Sequence, residues 1–182
     1  MSERYKVKDH EENYFITMTV VDWIDLFTRD RYIHILEDSI NYCIKEKGLI
    51  VFAYVIMPSH VHMIIGTQKI DLNDIIRDLK KFTSKAFIEA INEVGESRSE
   101  WLLNKFAFHA KKSKRHSNYK VWKDGFHPKI MDRTKKLEAA FNYIHYNPIS
   151  AGYVKNEEDW VHSSATAYLE NGKCPIEISK WY

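Results

Sequence analysis

The residues best suited to chemistry in this chain are two histidines one residue apart, in the string Met57-Pro58-Ser59-His60-Val61-His62-Met63-Ile64-Ile65-Gly66. In an extended strand alternate side chains share a face, so His60 and His62 stand side by side while Val61, Met63 and Ile65 face the other way. That is a two-pronged grip for a metal ion. The plainer alternative is a polar pair at a strand start, and the balance turns on whether further ligands can reach the same face. Tyr143 and Asn147 are candidates: spaced four apart in a helical segment, they stack on one face. Two imidazoles and an amide oxygen would leave positions open for a substrate phosphate. A phenol, with an ordinary pKa of about 10, is a poor nucleophile at neutral pH unless the phosphate it attacks is neutralised. A bound divalent cation does that, so His60, His62, Asn147 and Tyr143 together suit attack on a phosphodiester. Tyr146 is the rival nucleophile, but its own partner four residues on, Ser150, lies beyond Pro148.

A chain of 182 residues with 45% hydrophobic content is long enough to bury the core of one domain, taken here as residues 1–182. Within it 1–12 has no periodicity and is expected to be loose, and 150–182 is a C-terminal extension. A net charge of +2 does not by itself announce a nucleic-acid partner, so an electrostatic argument must come from local clusters. The two cysteines, Cys43 and Cys174, cannot build a disulfide framework, and no apolar run is long enough to span a membrane. A reduced, cytoplasmic location is the expectation.

The elements that must carry the site follow from periodicity. Tyr14 to Val21 is rich in β-branched and aromatic residues and predicts a first strand. From Asp30 to Lys47 the apolar positions Ile33, Leu36, Ile40, Cys43 and Ile44 recur at helical spacing, and Gly48 stands where a helix stops. Leu49 to Met57 predicts a strand covered on both faces; Pro58-Ser59 turns it tightly into the strand of His60 to Gly66. Asp71 to Val94 predicts a long helix with an unbroken apolar stripe. Short strands are expected around Lys105 to His109 and Phe126 to Met131, with a basic loop between them. Thr134 is placed as the cap of a helix from Lys135 to about Asn147, its core face Leu137, Ala140, Phe141 and Ile144, and Pro148 as its end. Ser163 to Glu170 suggests a short helix. The order βαββαβ is that of a ferredoxin-like α+β fold, an antiparallel sheet with helices on one face; the added C-terminal helix carries the nucleophile.

The string Met57-Pro58-Ser59-His60-Val61-His62, joined to Tyr143-Ile144-His145-Tyr146-Asn147-Pro148 and Ala151-Gly152-Tyr153-Val154, resembles the single-tyrosine HUH transposases, closest to the REP-associated tyrosine transposase branch. Asp22-Trp23, Lys80-Lys81-Phe82-Thr83, Trp122 to Gly125 and Ser163-Ser164-Ala165 with Tyr168 extend the resemblance over most of the chain; Ser59 departs from the family's usual Asn. The resemblance implies that His60 and His62 are metal ligands, Asn147 the third ligand and Tyr143 the nucleophile. It further implies a single-stranded or hairpin DNA partner, Mg²⁺ or Mn²⁺ as cofactor, and a 5′-phosphotyrosine intermediate; ligand softness alone would equally allow Zn²⁺.

With such a partner, the basic residues acquire a use. Lys111, Lys112, Lys114, Arg115, Lys120 and Lys123, interleaved with His116, Tyr119 and Trp122, could follow a phosphate backbone and stack bases. Arg77, Lys81 and Lys85 form a second basic face, on the long helix. Both patches have the ordinary reading of solvated surface. A homodimer is compatible with the sequence. The alternative function is a captured relative that holds hairpin DNA without cutting it. A histidine-triad hydrolase would need a third alternating histidine where Ile64 stands, and an H-x-H amidohydrolase a much larger barrel.

Overall fold

The structure is a computed structural model, which describes residues 12–68, 70–93, 95–113, 117–169 and 172–180. The fold is α+β, and its centre is a four-stranded antiparallel sheet of β1 (Tyr14–Thr19), β2 (Leu49–Met57), β3 (His60–Thr67) and β4 (Lys129–Ile130), in the order β2-β3-β1-β4. Helix α1 (Asp30–Lys47) links β1 to β2, and α2 (Leu72–Asn92) follows β3. This is the connectivity of a split βαβ sheet, and the hairpin at Pro58-Ser59 pairs Met57 with His60 as its length requires.

Alternation along the strands sorts the side chains onto two covered faces. Ile16, Met18, Val61, Met63 and Ile65 join the apolar stripes of α1 and α2 in the larger core. Phe15, Ala53, Val55, Met57 and Ile64 form a smaller core on the opposite face, closed by Ile144 with Leu137, Ala140 and Phe141 of α4 (Thr134–Ser150). The added helix therefore lies across the face that carries His60 and His62. A bulge in β2 between Val51 and Ala53 keeps the register of Val55 with His62 after Val51 has faced the other core.

Gly48 ends α1 in the left-handed conformation, φ 71°, which a glycine adopts without a Cβ clash. Helix α4 runs past the expected stop: Pro148 lies inside its last turn, and the helix closes on Gly152, φ 76°, with Tyr153 N–H donating to the Pro148 carbonyl and Gly152 N–H to the Ile149 carbonyl. The proline costs one donor near a helix end, where the reversal at the glycine supplies the termination. Thr134 is the first residue of this helix rather than its cap.

The strand expected at Lys105–His109 is instead part of a helix, α3 (Ser99–Lys111), whose buried residues Leu102, Phe106 and Ala110 recur every four positions. The first strand stops at Thr19, and Val21–Trp23 form a single 3₁₀ turn. Of the expected strand Phe126–Met131, Lys129 and Ile130 form the ladder with β1, and the Phe126 carbonyl accepts from Thr17 N–H; of the expected helix Ser163–Glu170, whose last residue lies outside the described residues, one 3₁₀ turn forms, Thr166–Tyr168. Ser163 instead bridges Val55, so residues 162–164 close the outer edge of β2: Ile56 N–H donates to the His162 carbonyl and Ser164 N–H to the Tyr54 carbonyl. Among the described residues no helix is long and apolar enough to cross a membrane.

Candidate active site

His60 and His62 begin β3 and face the sheet surface covered by α4, their ring centroids 4.8 Å apart. His62 is buried, and burial, helped by His60 and by Lys129, pushes its pKa down to about 3 against a hydrogen bond with the Ile16 backbone. Burial also lowers His60. Both imidazoles are thus neutral at physiological pH, the form that offers a lone pair to a cation. Each has a hydroxyl at Nδ1: Thr17 Oγ1 lies 2.9 Å from His62 Nδ1 and Ser59 Oγ 3.2 Å from His60 Nδ1. A proton held at Nδ1 by such partners leaves Nε2 as the donor atom, which is how metal-binding histidines are commonly oriented. Ser59 is thereby given a use that its departure from the family's usual Asn did not suggest.

Helix α4 delivers Tyr143 to this pair across 81 residues of sequence. Its hydroxyl oxygen stands 3.4 Å from His62 Nε2, and its ring meets His62 edge-on at 5.2 Å and Phe15 at 6.0 Å. The side chain is 51% exposed, so it contacts the histidine and remains open to a substrate. Tyr146 is equally exposed, but it is Tyr143 that reaches His62. Asn147, half-buried, is one turn further along on the same helical face as Tyr143.

The helix is pinned by more than its apolar stripe. His145, next to Ile144 and buried, places Nε2 2.7 Å from Ser164 Oγ, and burial pushes its pKa down to about 4. Ser164 Oγ in turn accepts from Tyr54 N–H at 2.9 Å, tying α4 to the edge of β2.

The basic residues singled out by sequence divide. Arg77, Lys81 and Lys85 lie on α2, across the sheet from the histidines; Arg77 is paired with Asp74 and Asp78, and Lys85 with Glu89 at 3.6 Å. They are not brought to the site. Trp122 is not available to stack a base: it is 4% exposed in the larger core, with its indole N–H donated to Thr83 Oγ1 at 3.0 Å. Its burial follows from the segment running beside the end of β1, where it bridges Val20. Tyr119 packs partly against the same core. Lys111 ends α3 and Lys112 caps it, with its ammonium 4.0 Å from the Phe108 ring centroid, so neither belongs to a loop strand. Lys120 is paired with Asp124, and Lys123 lies by Trp23. Lys114, Arg115 and His116 fall outside the described residues.

Two neighbours of the site were not among the sequence candidates. Lys129 pairs with Phe15 across β1 and β4 and so projects on the histidine face. Trp23 meets His60 edge-on at 5.4 Å and is 55% exposed. Asp22-Trp23 stood in the sequence as part of the family resemblance, with no role attached to the tryptophan; Lys129 needed the β1–β4 register.

The IS200-like transposase family matches residues 10–112, more than half of the chain and including both histidines. The chain belongs to that family. Among the chain's relatives, a Haemophilus influenzae protein assigned as a REP-associated tyrosine transposase is 24% identical over 153 residues, covering 83% of this chain and 78% of its own. The solved structure of a REP-associated tyrosine transposase bound to a REP hairpin superposes with a TM-score of 0.67 at 20% identity, over 99% of this chain and 93% of the other. The likeness at that identity establishes the shared fold.

Proposed function

We propose that this transposase is a metal-dependent endonuclease and strand transferase that cuts and rejoins single-stranded DNA at hairpin-forming repeats through a phosphotyrosine. The observation that carries the reading is the Tyr143 hydroxyl 3.4 Å from Nε2 of the buried, neutral His62. That arrangement has no evident structural purpose, since the tyrosine is half exposed and Phe15 already packs on His62 at 5.2 Å.

His60 and His62 would hold a divalent cation through Nε2, with the Asn147 amide oxygen as third ligand. Neutral nitrogen donors with hydroxyl-backed Nδ1 atoms fit such an ion. When bound, Mg²⁺ or Mn²⁺ supplies charge for a non-bridging phosphate oxygen. The chain's own residues do the rest. Helix α4 holds the Tyr143 oxygen at the mouth of the histidine pair, so the nucleophile is positioned before DNA arrives. Lys129, on the same face, adds positive charge for the phosphate. The Tyr143 oxygen forms a bond to phosphorus as the bond to the 3′ oxygen breaks. The phenol proton passes to water at the exposed ring, and the leaving 3′ oxygen takes one up. A 5′-phosphotyrosine and a free 3′ hydroxyl result; one phosphoester has replaced another, so the step runs backwards to join strands.

The hairpin partner is supported by the solved relative, whose DNA is a REP hairpin. Incubation of the protein with single-stranded hairpin DNA and Mg²⁺ or Mn²⁺ is expected to give a covalent protein–DNA band that chelator and Tyr143→Phe each abolish. A band persisting in the Phe variant would remove Tyr143 from its role. Hairpin binding with no band in the wild-type protein would favour the silent, domesticated reading.

A further inference from the structure

Trp23 is held in a conformation that its residue type disfavours. Asp22 and Trp23, neither of them glycine, sit consecutively in the left-handed region at φ 54° and 56°. Such backbone costs roughly 1–3 kcal/mol per residue and persists only where the surroundings over-determine it. The surroundings here do so. Val20 N–H donates to the Ser59 carbonyl and Val21 N–H to the Val121 carbonyl. The Asp22 carboxylate is gripped from α3 by His109 Nε2 at 2.8 Å and Lys105 Nζ at 3.5 Å. The turn so fixed presents an indole that is 55% exposed, edge-on to His60.

The rings form a row that starts on the sheet face carrying the histidines, at the beginning of the inner strand β3. Tyr143 meets His62 at 5.2 Å, His62 meets His60 at 4.8 Å, and His60 meets Trp23 at 5.4 Å. The nucleophile is at one end and the tryptophan at the other, with the candidate metal ligands between them. A cleft of about 330 Å³ opens beside the indole, lined by Trp23, His109, Lys120 and Lys123 with Asp22 and Asp124. The Lys123 ammonium rests over the indole, 4.3 Å from its centroid, while Trp23 stays 55% exposed, so the cation holds a ring face that a planar base could take over.

We propose that Trp23 is the stacking platform for the nucleobase beside the phosphate that Tyr143 attacks, with Lys123 moving from the ring to that nucleotide's phosphate as the base takes its place. The inference rests on the transposase reading above and adds to it a fixed nucleotide position, set by a side chain that bonds to neither metal nor phosphate. Stacking on an aromatic face tolerates any base, so Trp23 would fix register along the strand rather than read its sequence.

The test measures equilibrium binding by fluorescence anisotropy, in a Tyr143→Phe background so that no strand is cut. The ligand is a DNA hairpin with single-stranded flanks, in which an abasic site is walked along the flank one position at a time. Trp23→Ala is expected to weaken binding about tenfold, and Trp23→Phe to keep most of the affinity. One abasic position should weaken the parent protein by a similar factor and leave the Ala variant unaffected. Affinity unchanged by Trp23→Ala, or abasic penalties of the same size with and without the indole, would overturn the proposal. Should the Ala variant not fold, Trp23→Leu against Trp23→Phe makes the same comparison. Covalent attachment by the wild-type protein is scored alongside: attachment without a Trp23 effect removes the platform alone, and no binding by any form removes both.

Discussion

Removing one buried hydroxyl, Ser164→Ala, tests how the nucleophile's helix is held. Ser164 Oγ has three partners: the Tyr54 carbonyl at 3.3 Å, which also accepts from Ser164 N–H, and two that the substitution would strip, the Tyr54 backbone N–H at 2.9 Å and His145 Nε2 at 2.7 Å. Ser164 and Tyr54 are fully buried and His145 nearly so, leaving no direct route to bulk water. Each buried group stripped of its partner costs about 1–3 kcal/mol, so the pair predicts a loss of about 2–6 kcal/mol. That is a large share of the roughly 5–15 kcal/mol that stabilises a typical domain. Urea unfolding at pH 7 is the assay, with the midpoint expected to fall and the slope to stay constant. Ser164→Cys, which keeps a weak donor and acceptor, should lie between. A midpoint shift equivalent to under about 0.5 kcal/mol, the size usual for a neutral surface change, would refute the inference that this node pins α4 to β2.

Two further outcomes follow from the same geometry. Thr17→Val keeps the shape of the side chain beside His62 but removes the hydroxyl at Nδ1; Mn²⁺ affinity by titration calorimetry is expected to fall by about 10-fold, and an unchanged affinity would sever Thr17 from the metal role. His145, whose pKa lies near 4 in the folded protein, gains its proton far more readily once unfolded, where the ordinary value is about 6.5. Its contribution is therefore present in full above pH 6.5 and is lost as pH falls through that window toward 4, by at most about 3 kcal/mol. Urea midpoints at pH 7 and 4.5 should converge in His145→Gln relative to wild type, and equal acid sensitivity of the two proteins would contradict it.

Much of the fold was legible because its signals are local. The apolar period of Asp30–Lys47 with Gly48 behind it gave both ends of α1, and the Pro58-Ser59 turn fixed which face His60 and His62 share. The site's central pairing was also readable, since Tyr143 falls off the apolar stripe of its helix and is indeed half exposed beside His62. What was lost depended on packing between distant segments. Helix α3 buries only Leu102, Phe106 and Ala110, while Trp101 and Phe108 stay exposed, so aromatic content imitated a strand. Trp122 reads as a base-stacking residue among lysines until its bridge to Val20 turns the indole into the core. Pro148 is a stop signal by composition, yet Gly152 four residues on governs where α4 ends. The left-handed turn at Asp22-Trp23 has no glycine to announce it, and it is α3, missed in the sequence, that grips Asp22.

The central claim is that one particular phenol, set beside the histidine pair, becomes joined to DNA. Mass spectrometry of the trypsin- and nuclease-treated adduct tests it most directly, because the peptide between Lys136 and Lys155 holds Tyr143, Tyr146 and Tyr153 together. Fragmentation is expected to place a 5′-linked nucleotide remnant on Tyr143, in the presence of Mg²⁺ or Mn²⁺ only. A remnant on Tyr146 or Tyr153, or one that forms equally well in chelator, would contradict the account.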